Sequence, residues 1–445
     1  QMWDSEGKDA DNRVVQKLLA NYPEQFKKTR LGRDAVITLR VPNPSIEFEM
    51  RKSLVEALQG IPAAYDMARG FYGDEAGDMD APIQEVILPM TTNAPELTFI
   101  ATYYERFIVG QEDQELIGGR TVQDWIGEFH PKTLRVIPLV EDLEHMLTAD
   151  AIVGEYLQGR GATFQRVFLA RSDPALNYGS TAADLMIKVA LQRLHRLEEN
   201  LGIPIYPIIG AGSVPFRGHL SPVNLERAFR EYPSIHTYTI QSAFKFDHPV
   251  ETVRQAIGKI REHERTEPRP IDEKRAKQVI DKLAAAYQHQ VKTLAPFINA
   301  VSSKVPRRRD RKLHVGLFGY GRSLEGNSDV TLPRAIAFAA AAYSMGVPPE
   351  LLGMAALSKE DLAWVREVYP SLDEDMAAAL RFANEKQVHD LLGESYVKQL
   401  GRFGWEIDRV HEGLTSAIWA GMAENSKVNV RSFVEEAAGI RKFLG

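Results

Sequence analysis

Short apolar runs alternate with longer segments of helical period through the first three quarters of the chain. The runs are Ala35 to Val41, Glu85 to Met90, Leu134 to Val140, Arg166 to Arg171, Pro204 to Gly210, Thr237 to Phe244 and His314 to Tyr320. Each is rich in Val, Ile, Leu, Phe or Tyr and ends close to Pro, Gly, Asn or Asp, which predicts seven strands. Between them, Ser45 to Gln59, Ala94 to Val109, Asp142 to Leu157, Thr181 to Asn200, Pro249 to His263 and Glu273 to Ile298 read as helices. A strand-helix order repeated this often indicates an α/β protein with a parallel sheet covered by helices, and its closed form is the (β/α)8 TIM-type barrel. The count is one strand short of eight, and the chain opens on Gln1 rather than methionine. Together these suggest that the first strand belongs to a segment upstream; a miscounted strand is the other explanation. From Leu332 onward the pattern is helical, with turns at Gly346-Val347-Pro348-Pro349 and Tyr369-Pro370. The expected organisation is a barrel over residues 1–330 and a helical region, 331–445, packed on it.

Composition narrows the chemistry. With 445 residues, 44% hydrophobic and 26% charged, the chain can bury a large core. Lys and Arg number 54 against 60 Asp and Glu, a net charge of -6, so no general pull toward nucleic acid or an anionic membrane is expected and anion binding must be local. The absence of cysteine excludes disulfides, thiolate metal sites and cysteine nucleophiles. With no signal-peptide pattern, this points to the cytoplasm. The best apolar run, Ala335 to Tyr343, is about half of what a membrane span requires. Gly210-Ala211-Gly212 and Gly319-Tyr320-Gly321 both fall short of a dinucleotide fingerprint, since Pro215 and Leu324 occupy the third glycine's place. The basic run Lys304 to Lys312 lacks interleaved aromatics and reads as a solvent-facing loop.

In a parallel barrel the substrate sits at the carboxyl ends of the strands, so polar residues there carry extra weight. Arg40 ends the first run, Glu141 follows the third, Asp173 lies just past the fourth, Arg217 closes a glycine-rich loop after the fifth, and Arg322 follows the seventh. Two carboxylates on adjacent strand ends offer hard oxygen ligands for Mg²⁺ or Mn²⁺, leaving positions for water and substrate. Arginines around them would hold a phosphate through paired planar hydrogen bonds. The combination suggests a phosphorylated anionic substrate. Each residue also has an ordinary reading, as a helix cap, a salt-bridge partner or a solvated surface group.

Four segments then carry a resemblance: Val86-Ile87-Leu88-Pro89-Met90-Thr91-Thr92-Asn93, Arg171-Ser172-Asp173-Pro174-Ala175-Leu176-Asn177-Tyr178-Gly179, Gly212-Ser213-Val214-Pro215-Phe216-Arg217-Gly218 and Gln241-Ser242-Ala243-Phe244-Lys245-Phe246. They resemble phosphoenolpyruvate carboxylase of the archaeal type, from Trp3-Asp4-Ser5-Glu6-Gly7-Lys8 to the last glycine. The resemblance implies that Glu141 and Asp173 hold Mg²⁺ or Mn²⁺ and that Arg217, Arg322 and Arg334 hold phosphate. It implies Arg40 as a further substrate-site arginine, Leu139 and Phe168 as an apolar lining around carbon dioxide, and a tail ending at Gly445 that reaches back toward the site. Leu176 and Ala211 stand where the larger bacterial and plant enzymes have a lysine and an arginine, so other groups must hold bicarbonate. The family's N-terminal histidine motif would precede Gln1, which raises the expectation that this chain alone is inactive. The implied substrates are phosphoenolpyruvate and bicarbonate, and the implied assembly is a homotetramer with neither nucleic acid nor membrane as partner. Two alternatives stay open: another metal-dependent barrel enzyme acting on phosphoenolpyruvate or pyruvate, and a catalytically silent scaffold subunit.

Overall fold

The parallel pattern appears in a computed structural model that describes residues 2–4, 13–241, 243–306, 322–324, 327–404, 406–423 and 429–445. The described residues divide into two compact units. One runs from Met2 to Val140 and adds Ala151–Phe168; the other comprises Glu141–Asp150, the residues from Leu169 to 306, and those from 322 to Gly445.

In the first unit, strands β1 (Met2–Asp4), β2 (Thr38–Arg40), β3 (Glu85–Leu88) and β4 (Arg135–Val140) lie side by side in chain order, every pair parallel. The register sets Arg40 opposite Asp4 on one side and Ile87 on the other. All four residues of β3 are buried, as expected of a strand covered on both faces. Strand β5 (Gln165–Ala170) follows β4 in the sheet order and starts in this unit. Beyond β2 the turn is organised by fully buried Asn43, whose side-chain amide donates to the Pro89 oxygen at 2.9 Å and whose own oxygen accepts from Ser45 N at 2.9 Å. This ties the segment behind Arg40 to the loop behind β3. That loop in turn bonds β4, since Thr91 N donates to the Leu139 oxygen at 3.1 Å.

In the second unit the end of β5 is followed in sheet order by β6 (Ile205–Gly210) and β7 (Thr237–Tyr238), the last two paired parallel. The helix Ser180–Leu201 is buried at every position from Ser180 to Leu191, Asp184 and Lys188 included. Such burial of charge is tolerated only with partners, and both have one: Asp184 pairs with Arg171 at 2.9 Å and Lys188 with Glu231 at 2.8 Å. Helices Glu273–Ser302 and Ala335–Ser344 complete the core of this unit, the second with eight of its ten residues buried. A hairpin, Arg322–Leu324 with Asn327–Leu332, precedes it. Among the described residues no single helix is long and apolar enough to cross a membrane.

Four of the predicted runs contain β2, β3, β4 and β6, the run Arg166 to Arg171 covers all of β5 but its first residue, and the sixth begins with the two residues of β7, Thr237–Tyr238. The seventh, His314 to Tyr320, lies outside the described residues, as does most of the basic run from Arg307 to Lys312. Met2–Asp4 is a strand the pattern did not predict; three residues are too few to display a period, and the pairing with Thr38–Arg40 defines it.

Candidate active site

Arg217 is the most fully built of the candidate residues. It ends a single 3-10 turn, Pro215–Arg217, that begins five residues after β6. The loop folds on itself: Gly212 N donates to the Arg217 oxygen at 2.6 Å and Leu220 N to the Gly212 oxygen at 2.7 Å. Gly218 follows at φ +97°, where a side chain would be strained and would press on Ala211 and Arg171. The Arg217 side chain is only 4% exposed and uses all three nitrogens. Nε donates to Ser172 Oγ at 3.0 Å, Nη1 to the Gly445 oxygen at 3.0 Å, and Nη2 to Gln241 Oε1 at 2.6 Å. Gly212 makes room for this arrangement, because a Cβ there would lie 2.6 Å from Cζ. The expected return of the tail to the site is thus seen directly in the Gly445 contact.

Glu141 directly follows β4, and Asp173 occupies the first turn of the helix Ser172–Tyr178, three residues beyond β5. Both are half-buried and belong to the same unit as Arg217. Ser172 joins the two halves of the site, being the neighbour of Asp173 and the acceptor for Arg217. Arg334 caps the start of the helix Ala335–Ser344, and its oxygen accepts from Phe338 N at 2.8 Å. That helix lines the tail: a Cβ on Gly445 would meet the Ile336 oxygen at 2.2 Å and Ala340 N at 2.7 Å. Arg322 lies on a strand, but its side chain is outside the described residues. In the first unit, Arg40 ends β2, half-buried, while Leu139 on β4 and Phe168 on β5 are buried at 3% and 7% exposure. Leu176 and Ala211 are buried as well.

Electrostatics stiffen the Arg217 loop. The Phe216 amide donates to Glu350 Oε1 at 2.6 Å, and the same oxygen accepts from Tyr343 OH at 2.8 Å. Burial pushes the Glu350 carboxyl up to about 7, against the lowering effect of those hydrogen bonds. Past the loop, His219 Nδ1 meets Asp375 Oδ1 at 2.7 Å, and Arg227 Nη1 donates to the same oxygen at 2.7 Å. Burial alone would raise Asp375, but the hydrogen bonds from His219 and Tyr369 and the Arg227 charge outweigh it and hold it below the usual carboxylate range. Sequence reasoning did not single out Ser172, Gln241 or Glu350. The first two stand inside the quoted segments beside Asp173 and Ser242, which was the available signal; nothing local marks Glu350.

A family model described as phosphoenolpyruvate carboxylase matches residues 1–445. The chain belongs to the phosphoenolpyruvate carboxylase family. Relatives named phosphoenolpyruvate carboxylase include one from Methanospirillum hungatei, 48% identical over 100% of this chain and 90% of its own length. Those from Methanothermobacter thermautotrophicus and Halobacterium salinarum are 47% and 46% identical, each again over 100% of this chain and 90% of the relative.

Proposed function

We infer that the chain is a carboxy-lyase that joins bicarbonate to phosphoenolpyruvate, giving oxaloacetate and phosphate. The observation that carries this reading is Arg217: a buried guanidinium with a loop built around it, in a family whose relatives bear that activity in their names. A fixed planar cation of this kind suits the oxygens of a phosphate group.

Glu141 and Asp173 fit a divalent cation by the chemistry of their donors. They are half-buried carboxylates just past the ends of successive strands, in the same unit as Arg217. An oxygen-only pair that leaves positions for water and substrate suits Mg²⁺ or Mn²⁺ better than a softer ion. When bound there, such a cation supplies positive charge against the developing enolate oxygen.

In the proposed reaction Arg217, Arg334 and Arg322 neutralise the phosphate while a bicarbonate oxygen attacks phosphorus. The bond from phosphorus to the enol oxygen breaks, giving carboxyphosphate and the enolate of pyruvate. Carboxyphosphate releases carbon dioxide, and the enolate carbon attacks it. Protonation of that carbon would yield only pyruvate, so the roles proposed for Leu139 and Phe168 are to exclude water and stray protons. Arg40 is proposed as a further cation for the substrate carboxylate. The parallel strands in chain order are what a (β/α)8 barrel is built from, and we extend the reading to a barrel over 1–330 carrying helices 331–445, assembled as a cytoplasmic homotetramer.

The test is product formation from phosphoenolpyruvate with and without bicarbonate and divalent cation. Oxaloacetate that requires all three is the expected result. Pyruvate regardless of bicarbonate would favour another phosphoenolpyruvate enzyme, and no product even with the family's N-terminal histidine motif restored ahead of Gln1 would favour a silent scaffold; either would overturn the reading.

A further inference from the structure

The backbone that carries Arg217 is gripped from both sides by buried side chains with no place in the reaction above. The Phe216 oxygen accepts from Arg171 Nη1 at 3.0 Å, and the Phe216 amide donates to Glu350 Oε1 at 2.6 Å. Arg171 is fully buried, and its other nitrogens are committed as well: Nη2 donates to Ser180 Oγ at 3.1 Å and Asp184 Oδ2 at 2.9 Å, and Nε to Tyr232 OH at 3.3 Å. Glu350 is 2% exposed. Arg171 also immediately precedes Ser172, the acceptor for Arg217 Nε, so residues 171–172 and 216–217 are joined by two bonds running in opposite directions.

Buried ion pairs such as Arg171 with Asp184 give little net stability, because desolvation offsets the attraction. What they supply is direction. A guanidinium holds five donors in a rigid fork, so Arg171 can serve a carbonyl, two hydroxyls and a carboxylate at once; a lysine ammonium cannot reproduce that geometry. Glu350 serves Phe216 and Tyr343 through one oxygen, a task that the amide oxygen of glutamine can also perform.

We propose that Arg171 and Glu350 are positioning residues, a two-sided clamp on Phe216 that fixes where the Arg217 guanidinium stands relative to Asp173. This rests on the reading of Arg217 as a phosphate-holding residue. Since a displacement of about 1 Å can cost on the order of a hundredfold in rate, loosening the clamp acts on substrate handling before it acts on folding.

The experiment compares Arg171→Lys, Glu350→Leu and Glu350→Gln in the full chain, with phosphoenolpyruvate and bicarbonate varied separately and thermal melting recorded. Arg171→Lys and Glu350→Leu are expected to raise KM for phosphoenolpyruvate about tenfold or more while KM for bicarbonate moves less than about twofold, and Glu350→Gln to recover most of the loss. Equal changes in the two KM values, no change in either, or Glu350→Gln as impaired as Glu350→Leu would overturn the proposal. Should Arg171→Lys fail to fold, Ser180→Ala, which removes one Arg171 partner and leaves the charge buried, is read for the same split in KM, and its absence counts against the clamp. Arg217→Gln is measured alongside. If it leaves KM for phosphoenolpyruvate unchanged, the phosphate reading itself fails; if it raises that KM while the clamp variants do not, only the clamp fails.

Discussion

Replacing Gly212 by alanine should damage the candidate site while sparing the fold. The added methyl would lie 2.6 Å from Arg217 Cζ, 2.8 Å from Nη1 and 2.9 Å from Nη2. Ordinary contact begins near 3.4 Å, so the guanidinium has to retreat by about 0.8 Å. Gly212 does not stand in the left-handed region, so alanine is free of backbone strain, and the atoms it strikes are the end of a flexible side chain. The hydrogen bonds to Ser172, Gly445 and Gln241, at 3.0, 3.0 and 2.6 Å, resist the retreat. Stretching one of them by that amount breaks it, and a bond to a charged group contributes about 1.5–3 kcal/mol. With the misplacement itself, kcat/KM for phosphoenolpyruvate should fall by roughly 30- to 100-fold while the melting midpoint moves by only a few degrees. The assay is oxaloacetate formation at varied phosphoenolpyruvate, in the wild type and in an Arg217→Ala background. In that background Gly212→Ala should cost almost nothing, since there is no guanidinium to displace. Wild-type kinetics for Gly212→Ala, or the same loss with and without Arg217, would refute the reasoning.

Asp173→Asn keeps the shape of a half-buried side chain in the first turn of its helix and removes its charge; turnover dependent on added divalent cation should disappear while the protein stays folded, with stability lowered by about 1 kcal/mol, as calorimetry would show. Gly445→Ala meets helix backbone, at 2.2 Å from the Ile336 oxygen, so the tail must lift and release Arg217 Nη1; KM for phosphoenolpyruvate should rise, and an unchanged KM would detach the tail from the site. His411 is fully buried; burial first, and the Arg441 charge beside it second, lower its pKa from 6.5 to about 3. Its contribution is therefore complete above the unfolded value and is lost as pH falls from 6.5 toward 3, because the unfolded chain takes up a proton that the folded one refuses. Melting midpoints of the wild type should drop through that window by the equivalent of a few kcal/mol, and those of His411→Gln should drop less; parallel curves would exclude His411 as the cause.

Runs of buried Val, Ile and Leu made β3 to β6 legible, because a strand covered on both faces writes its burial into consecutive residues. Strand ends then located Glu141, Asp173 and Arg217 by simple adjacency. Helix limits were less visible. The period suggested a helix over Ser45 to Gln59, yet the helix spans Arg51–Tyr72. Its start is delayed because Ser45 N and the Glu47 carboxylate are engaged by Asn43 in a turn. It continues past Gly60 because Ile61, Pro62, Ala64, Tyr65 and Ala68 are all buried, and tertiary packing outweighs the local breakers. The partners of Arg217 leave no mark in the residue pattern, and only the tail ending at Gly445 was anticipated, through the family resemblance. Gln241, Ser172 and the Gly445 oxygen share no period with it and meet it only after folding, and an acceptor such as a backbone oxygen leaves no trace in residue identity.

The three acceptors on Arg217 come from 45, 24 and 228 positions away in the chain. Closing the longest of these loops is entropically the most demanding event among them, so the guanidinium should reach its working pose late in folding. Refolding followed by helical signal and by enzymatic turnover should accordingly give two time courses, with turnover trailing. A protein caught between them would look native by its secondary structure and yet carry an arginine free to wander.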